Sequence, residues 1–230
     1  MKFLKRIFHA PSSTPNAITL LETGSLPIDL EIHVRQLKFL HHILTLSDND
    51  PVKVTYEEQL KFTHERNWGN EVIALRQKYG IQETDEEISQ YTKARWKNIV
   101  KKIVTQQALQ QLNNELLELK HGSKIPTYDE LKPQKYLDAL QPHQSRKLFH
   151  IRAGVIDLKT VRKYWYNDRT CRLCGDLEEN VDHIVNFCRL IPRTFLISDL
   201  FSNNIEEMTA IAERCTLFAS KVKELDQDGK

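Results

Sequence analysis

Apolar residues recur along this chain mostly at helical spacing. From Pro27 the positions Leu30, Val34, Leu37, Leu40 and Leu44 follow one another every three or four residues until the polar breaker Ser47-Asp48-Asn49-Asp50-Pro51, the signature of an amphipathic helix. Before it, Thr14 as N-cap, Pro15 at the first helical position and Gly24 beyond the end frame a short helix over 16–23. Asp50 before Pro51 predicts a third helix carrying Val54, Leu60 and Phe62, and Asn67 opens a fourth with the stripe Trp68, Val72, Leu75 and Tyr79, ending at Gly80. Thr84-Asp85-Glu86-Glu87 reads as a capping box that opens one long helix reaching Gly122, its apolar positions being Tyr91, Ile99, Ile103, Leu109, Leu112, Leu116 and Leu119.

Beyond Gly122 the texture changes. Pro126, Pro133 and Pro142 break the chain into short pieces, among them a capping box over 127–130 and a turn of helix over 136–140. Residues 144–152 should be helical and stop at Gly154. Asn204 with Glu207 starts a terminal helix filled by Met208, Ile211, Ala212, Cys215, Leu217, Phe218 and Val222. The expected organisation is a mainly α chain: a helical bundle over 1–122, a Pro-interrupted linker over 123–145, a small metal-binding module with its C-terminal helix over 146–225, and a disordered tail over 226–230.

Composition narrows the classes without naming one. The chain has 230 residues, 40% of them hydrophobic and 28% charged, with seven glycines, enough to fill a core and little suited to a sheet-rich fold. No apolar run approaches the roughly 18 residues of a membrane span. Residues 1–21 hold Lys2, Lys5, Arg6 and His9 and no acid, which fits either a mitochondrial transit peptide or an amphipathic first helix with Phe3, Leu4, Ile7 and Phe8 on one side and a stop before Pro11. His41 and His42 lie within the second helical pattern; neighbours on a helix point about 100° apart, so they belong to a polar edge or a satisfied core and not to a two-ligand metal face.

Chemistry concentrates in one segment. Cys171, Cys174, His183 and Cys188 form C-x2-C-x8-H-x4-C, and the chain's fourth cysteine, Cys215, lies in a helical core pattern. Three thiols and an imidazole are the donor set of a closed tetrahedral zinc site, which leaves no open position for water and is therefore structural. The alternative, a redox C-x-x-C pair, normally sits in a strand-helix-strand context that is missing here. Gly175 allows the left-handed turn after the second cysteine. Leu173, Leu177, Val181, Ile184 and Phe187 interleave the ligands as an apolar shell. His183 and Cys188 are five residues apart, out of phase on an ideal helix, so a helix must begin at His183 or end before Cys188. Cysteine usage of this kind belongs to a reducing intracellular compartment, nuclear or cytoplasmic.

Positive charge gathers just before the ligands. Arg146, Lys147, Arg152, Lys159, Arg162, Lys163, Arg169 and Arg172 face only Asp157 and Asp168 across this stretch, whereas the whole chain carries +2. Tyr164, Trp165 and Tyr166 lie inside it. Basic groups neutralise phosphates and aromatic rings stack on unpaired bases, so these cations and Trp165 form a candidate surface for RNA or DNA. The other reading makes the rings core residues and the charges a solvated face. Lys93, Arg95, Lys97, Lys101 and Lys102 on the long helix are assigned to a solvated face.

Several segments together resemble a known family. Ala10-Pro11-Ser12-Ser13-Thr14-Pro15 leads to Leu21-Glu22-Thr23-Gly24 and Leu26-Pro27-Ile28; residues 35–44 include Leu-His-His-Ile-Leu; Lys120-His121-Gly122-Ser123-Lys124 precedes Leu131 and Tyr136-Leu137; and Leu148-Phe149-His150-Ile151-Arg152 leads into the cysteines. In this order and spacing the chain resembles the C-terminal part of the reverse transcriptase polyprotein of non-LTR, LINE-like retrotransposons. The resemblance implies a helical thumb-and-linker region and a zinc module that grips template RNA or target DNA. The family's polymerase motif, Y/F-x-D-D, is missing, and no Asp-Asp pair occurs in the sequence. Without paired carboxylates the two metal ions of nucleotidyl transfer have no seat, so no catalytic residue, activity or small-molecule substrate is expected of the chain alone. A truncated copy, a partial gene model or a captured fragment would each fit. Its partner is then RNA, DNA or the missing polymerase portion; the alternative function is a zinc-stapled helical scaffold for a protein.

Overall fold

The computed structural model describes residues 1–62, 66–119, 125–161, 165, 167–192 and 194–228. The chain is mainly α, as the periodicity implies; among the described residues the only β feature is an isolated antiparallel bridge between Thr170 and Glu178. No helix of the described residues is long and apolar enough to cross a membrane. Two compact units emerge, one of residues 1–25 with 112–230, the other of residues 26–111. This division differs from the expected boundary at 123–145: residues 1–25 share a core with the C-terminal half, because partners for their apolar faces are encoded more than 100 residues downstream.

The first unit holds α1 (Lys2–Ile7) and α2 (Asn16–Thr23). Phe8, just past α1, is buried and stacks on Phe149 with ring centroids 4.3 Å apart, while Phe3 is exposed. Pro15, and not Thr14, takes the N-cap position of α2. Gly24 closes α2 in the left-handed conformation at φ 61°. A Cβ there would stand 2.2 Å from the backbone carbon of Lys132, so only glycine lets these two strands of backbone pass.

The second unit contains α3 (Ile28–Leu44), α4 (Pro51–Lys61), α5 (Trp68–Lys78), α6 (Asp85–Gln90) and most of α7 (Lys93–Leu117). Helix starts follow the local chemistry. The Asp50 carboxylate accepts from Val52 N at 2.9 Å, Asn67 caps α5, and Thr84 with Glu87 forms a full reciprocal capping box. The core side of α4 is Tyr56, whereas Val54 and Phe62 are exposed. Beyond Glu87 the expected single helix is two, α6 and α7, separated where Tyr91 is extended.

The buried stripe of α7 is Trp96, Val100, Val104, Ala108, Leu112 and Leu116, one position away from the expected Ile99, Ile103 and Leu109. Adjacent apolar pairs left the phase open. Trp96 sets it: the indole is buried and its Nε1 donates to the Leu37 carbonyl at 2.8 Å, and a fully buried large side chain is worth about 1.5–3 kcal/mol. Lys93, Arg95, Lys97, Lys101 and Lys102 are exposed. His41 is a satisfied core histidine, its Nε2 at 2.8 Å from the Tyr91 carbonyl.

The rest of the first unit comprises α8 (Tyr136–Ala139), α9 (Pro142–Arg152) and α10 (Ile205–Asp228), with a 3-10 turn at Ile197–Phe201. No helix forms over 127–130; Tyr128 is instead held in an irregular segment by Asn113, whose side chain both donates to its carbonyl and accepts from its N–H. Gly154 ends α9 at φ 65°. Asn204 caps α10 through the Glu206 N–H at 2.9 Å. Met208, Ile211, Ala212, Cys215, Phe218 and Val222 are buried in one core with α9. The helix runs on to Asp228, so 226–228 are not a disordered tail. Gly122 and the segment 120–124 lie outside the described residues.

Candidate metal centre

The centre is built from a knuckle and a single wide turn, both within the first unit. Cys171 N donates to the Leu177 carbonyl at 2.8 Å and Gly175 N to the Cys171 carbonyl at 2.9 Å, closing a loop that Gly175 makes possible at φ 70°. The second half is a π-helical turn, His183–Phe187. Cys188 N donates to the His183 carbonyl at 2.7 Å, and this i to i+5 bond is what makes the x4 spacing work. In an α-helix His183 and Cys188 would diverge by about 140°; the wider turn brings the fifth residue back beneath the first. Residues 181–182 are already helical and the turn ends at Phe187, immediately before Cys188, the second of the two arrangements that the phase demanded.

Cys171, Cys174, His183 and Cys188 offer ligand atoms that all lie within 4.8 Å of one another, close enough to bind a metal ion. His183 Nε2 faces Cys174 Sγ at 3.3 Å. Edges of a tetrahedral zinc site run about 3.5–3.8 Å, from Zn–S near 2.3 Å and Zn–N near 2.0 Å, so shifts of about 1 Å or less would close the donors on an ion. Cys171, His183 and Cys188 are buried and Cys174 is half-buried. Burial pushes the Cys171 thiol up and the Cys188 thiol up to about 12, and lowers the His183 imidazole. At Cys174 burial also acts upward, but the Asp176 N–H and the neighbouring Cys171 outweigh it and leave this thiol below its ordinary value. Three crowded sulfurs hold negative charge together only when a cation neutralises them, which is the chemistry of a metal site. All four cysteines carry free thiols.

The apolar shell is smaller than expected. Ile184 is fully buried and Leu173 and Val181 pack against the core, but Leu177 and Phe187 are about half exposed.

Two residues that the spacing did not single out hold the centre in place. Glu179 is fully buried between the ligand pairs. Its carboxylate accepts from Arg172 N at 2.9 Å, from Arg172 Nη2 at 2.6 Å and from Lys159 N at 3.0 Å, fixing the segment that carries Cys171. Arg214, on α10, is buried too. Its guanidinium donates to the carbonyls of Ile184 at 2.6 Å, Ile191 at 2.6 Å, Pro192 at 2.8 Å and Cys188 at 3.3 Å, gathering carbonyls of the π-turn and of the segment that follows Cys188. A charged residue in phase with the apolar stripe, three after Ile211 and four before Phe218, was the available signal.

The expected nucleic-acid residues separate into groups. Arg152 is a correction: it is buried, ion-paired with Glu22 at 3.4 Å and donates Nε to the Leu200 carbonyl at 2.6 Å, so no phosphate can reach it. Lys159 is likewise turned inward, its Nζ 3.0 Å from Asp168, and the Arg172 side chain is committed to Glu179. Those two also leave the phosphate-binding set, because their side chains are largely buried as well as paired, whereas that of Arg169 is exposed. Arg146 and Lys147 are half-buried on α9; Arg169 is exposed and 3.4 Å from Glu178. Trp165 is 82% exposed, so its indole is no core residue. Arg162, Lys163, Tyr164 and Tyr166 lie outside the described residues. Compared with protein-family models, curated proteins and solved structures, the chain matches none.

Proposed function

We propose that this chain is a nucleic-acid-binding module stapled by one structural zinc, of the kind found after the polymerase in LINE-like reverse transcriptases, without catalytic activity of its own. The observation that carries this reading is Trp165, 82% exposed in the basic approach to the candidate metal centre. An exposed indole stacks on unpaired bases at about 1–3 kcal/mol per base, while Arg169, Arg146 and Lys147 supply phosphate contacts and Arg162 and Lys163 extend them. The zinc, held by Cys171, Cys174, His183 and Cys188, acts by fixing the knuckle from which this surface springs, and structural zinc contributes folding energy outright.

Titration of the zinc-loaded chain with a short single-stranded oligonucleotide across a range of salt tests the reading. About five phosphate contacts give a log-log slope near −3.5, at about −0.7 per contact. Trp165→Ala should weaken binding and leave that slope unchanged, since a stacked ring releases no counterions. Absence of binding at low salt, or an affinity indifferent to Trp165, would instead favour a protein-interaction scaffold, the second reading. Exposed Leu177, Phe187, Leu190 and Leu196 on the same module support that alternative.

A further inference from the structure

The second unit carries a groove of about 360 Å³ lined by Arg35, Lys38, Phe39, His42, Lys93 and Trp96, with His41 at its base. Two helices build it: α3 supplies residues 35–42 and the first turn of α7 supplies Lys93 and Trp96. Trp96 forms the buried floor, locked by its hydrogen bond to Leu37. Phe39 stands at the rim, 45% exposed, its ring set edge-on against Trp68 at 5.4 Å and 5.9 Å from the His42 ring.

The cations of this groove differ from those beside the metal centre. Lys159, Arg152 and Arg172 are claimed by Asp168, Glu22 and Glu179. Among the described residues Arg35, Lys38 and Lys93 have no carboxylate within ion-pair distance, and no acid lines the groove. Three cations that no described carboxylate pairs, beside the exposed ring of Phe39 and the His42 ring, match a ligand that is anionic at one end and planar at the other. A merely solvated charged face needs no such rings, and an apolar partner would leave the three charges desolvated and unpaired.

We propose that this groove binds a nucleotide unit, a phosphate joined to a heteroaromatic base, with Arg35, Lys38 and Lys93 holding the phosphate and Phe39 and His42 receiving the base. The volume is in the range of small-ligand sites, about 300–1,000 Å³. Guanidinium and ammonium groups suit phosphate oxygens, and aromatic faces suit any base, so the site is expected to discriminate little among the four. Free nucleotides and nucleotides within a strand share this chemistry.

Calorimetric titration of the full chain with adenosine monophosphate, adenosine, inorganic phosphate and a short oligothymidylate tests it. Adenosine monophosphate should bind more tightly than adenosine or phosphate alone. Arg35→Gln with Lys93→Gln, both at exposed positions, should weaken it at least about tenfold, the effect of losing about 1.4 kcal/mol, with helical content unchanged. Phe39→Leu should weaken the nucleotide but not inorganic phosphate. Trp165→Ala should leave mononucleotide binding as it was, which keeps the inference independent of the metal module. Oligothymidylate binding that exceeds mononucleotide binding and is lost in the Arg35/Lys93 variant identifies a strand as the occupant; equal or weaker strand binding identifies a free nucleotide. No binding of mononucleotide or strand, or affinities untouched by the double variant, would overturn the proposal.

Discussion

Glu22 and Arg152, 130 residues apart in the chain, form an ion pair whose two side chains are 0% and 2% exposed. Glu22 also accepts a hydrogen bond from the Tyr128 hydroxyl, and the Arg152 guanidinium lies over the rings of Tyr136 at 4.6 Å and Phe201 at 5.2 Å. A buried pair of this kind owes little net stability to its Coulomb attraction, because desolvation offsets it, but either charge left alone is costly. Glu22→Gln and Arg152→Met should each lower the stability of this unit by about 3–5 kcal/mol, and the double variant by less than the sum of the two. Urea denaturation of the four proteins measures the coupling, and additive losses would show that the pair does not act as one.

Arg214 offers the metal no donor atom, yet its guanidinium binds the Cys188 and Ile184 carbonyls. Arg214→Met should lower zinc affinity about 10–100-fold, the usual loss when an orienting partner of a metal ligand is removed, while Arg214→Lys restores only part of it because an ammonium lacks the planar fork. Competition with a chromogenic chelator gives the affinity; an unchanged value for the Met variant would mean that the π-turn holds its shape without help.

Cysteine variants separate metal chemistry from packing. Cys188→Ser should abolish stoichiometric zinc, and deletion of Asn186 should do the same by narrowing the turn that brings Cys188 beneath His183. Cys215→Ala should keep one zinc per chain and cost about 1–2 kcal/mol of stability, since Cys215 is wholly buried among apolar neighbours. Metal content by mass spectrometry after anaerobic purification distinguishes them, and equal zinc loss in Cys188→Ser and Cys215→Ala would remove Cys188 from the ligand set.

His150 makes the first unit sensitive to mild acid. Its Nε2 lies 2.7 Å from the Phe8 carbonyl; burial lowers its pKa, the Phe8 hydrogen bond opposes the shift, and Lys147, His9 and Arg146 add to it. A folded pKa below the unfolded value of about 6.5 means that the unfolded chain binds the proton more readily. The contribution is therefore complete above pH about 6.5 and is lost as pH falls through the lower folded value. His150→Gln keeps an N–H for the carbonyl and cannot titrate. Between pH 7.5 and 5.5 the urea midpoint should fall more in the wild type than in this variant; parallel falls would place the sensitivity elsewhere.

Features written in a few consecutive residues were legible in the sequence. The Thr84 and Glu87 capping box, the Asp50 and Asn67 caps, the four ligand residues and the αL position of Gly175 all depend on neighbours within a turn or two. What failed depended on partners far away. Arg152 lies in a basic run, but a carboxylate 130 residues upstream decides its role, and no local pattern encodes that pairing. The phase of α7 was ambiguous because Ile99 and Val100, and Ile103 and Val104, are equally apolar; Trp96 resolves it only by docking on Leu37. Lys93 and Arg35, 58 positions apart, meet in one groove through the packing of two helices.

The close passage of Gly24 and Lys132 has a counterpart in time. Residues 1–25 leave the ribosome before residues 26–228, but Phe8 waits for Phe149 and Glu22 waits for Tyr128 and Arg152, while residues 26–111 already contain the partners of their own core. Domains usually mature from the N-terminus during synthesis. Here residues 1–25 are completed late, so a ribosome stalled after residues 26–111 have emerged but before Arg152 has would display a finished second unit together with a preceding segment whose apolar face is still searching for its other half.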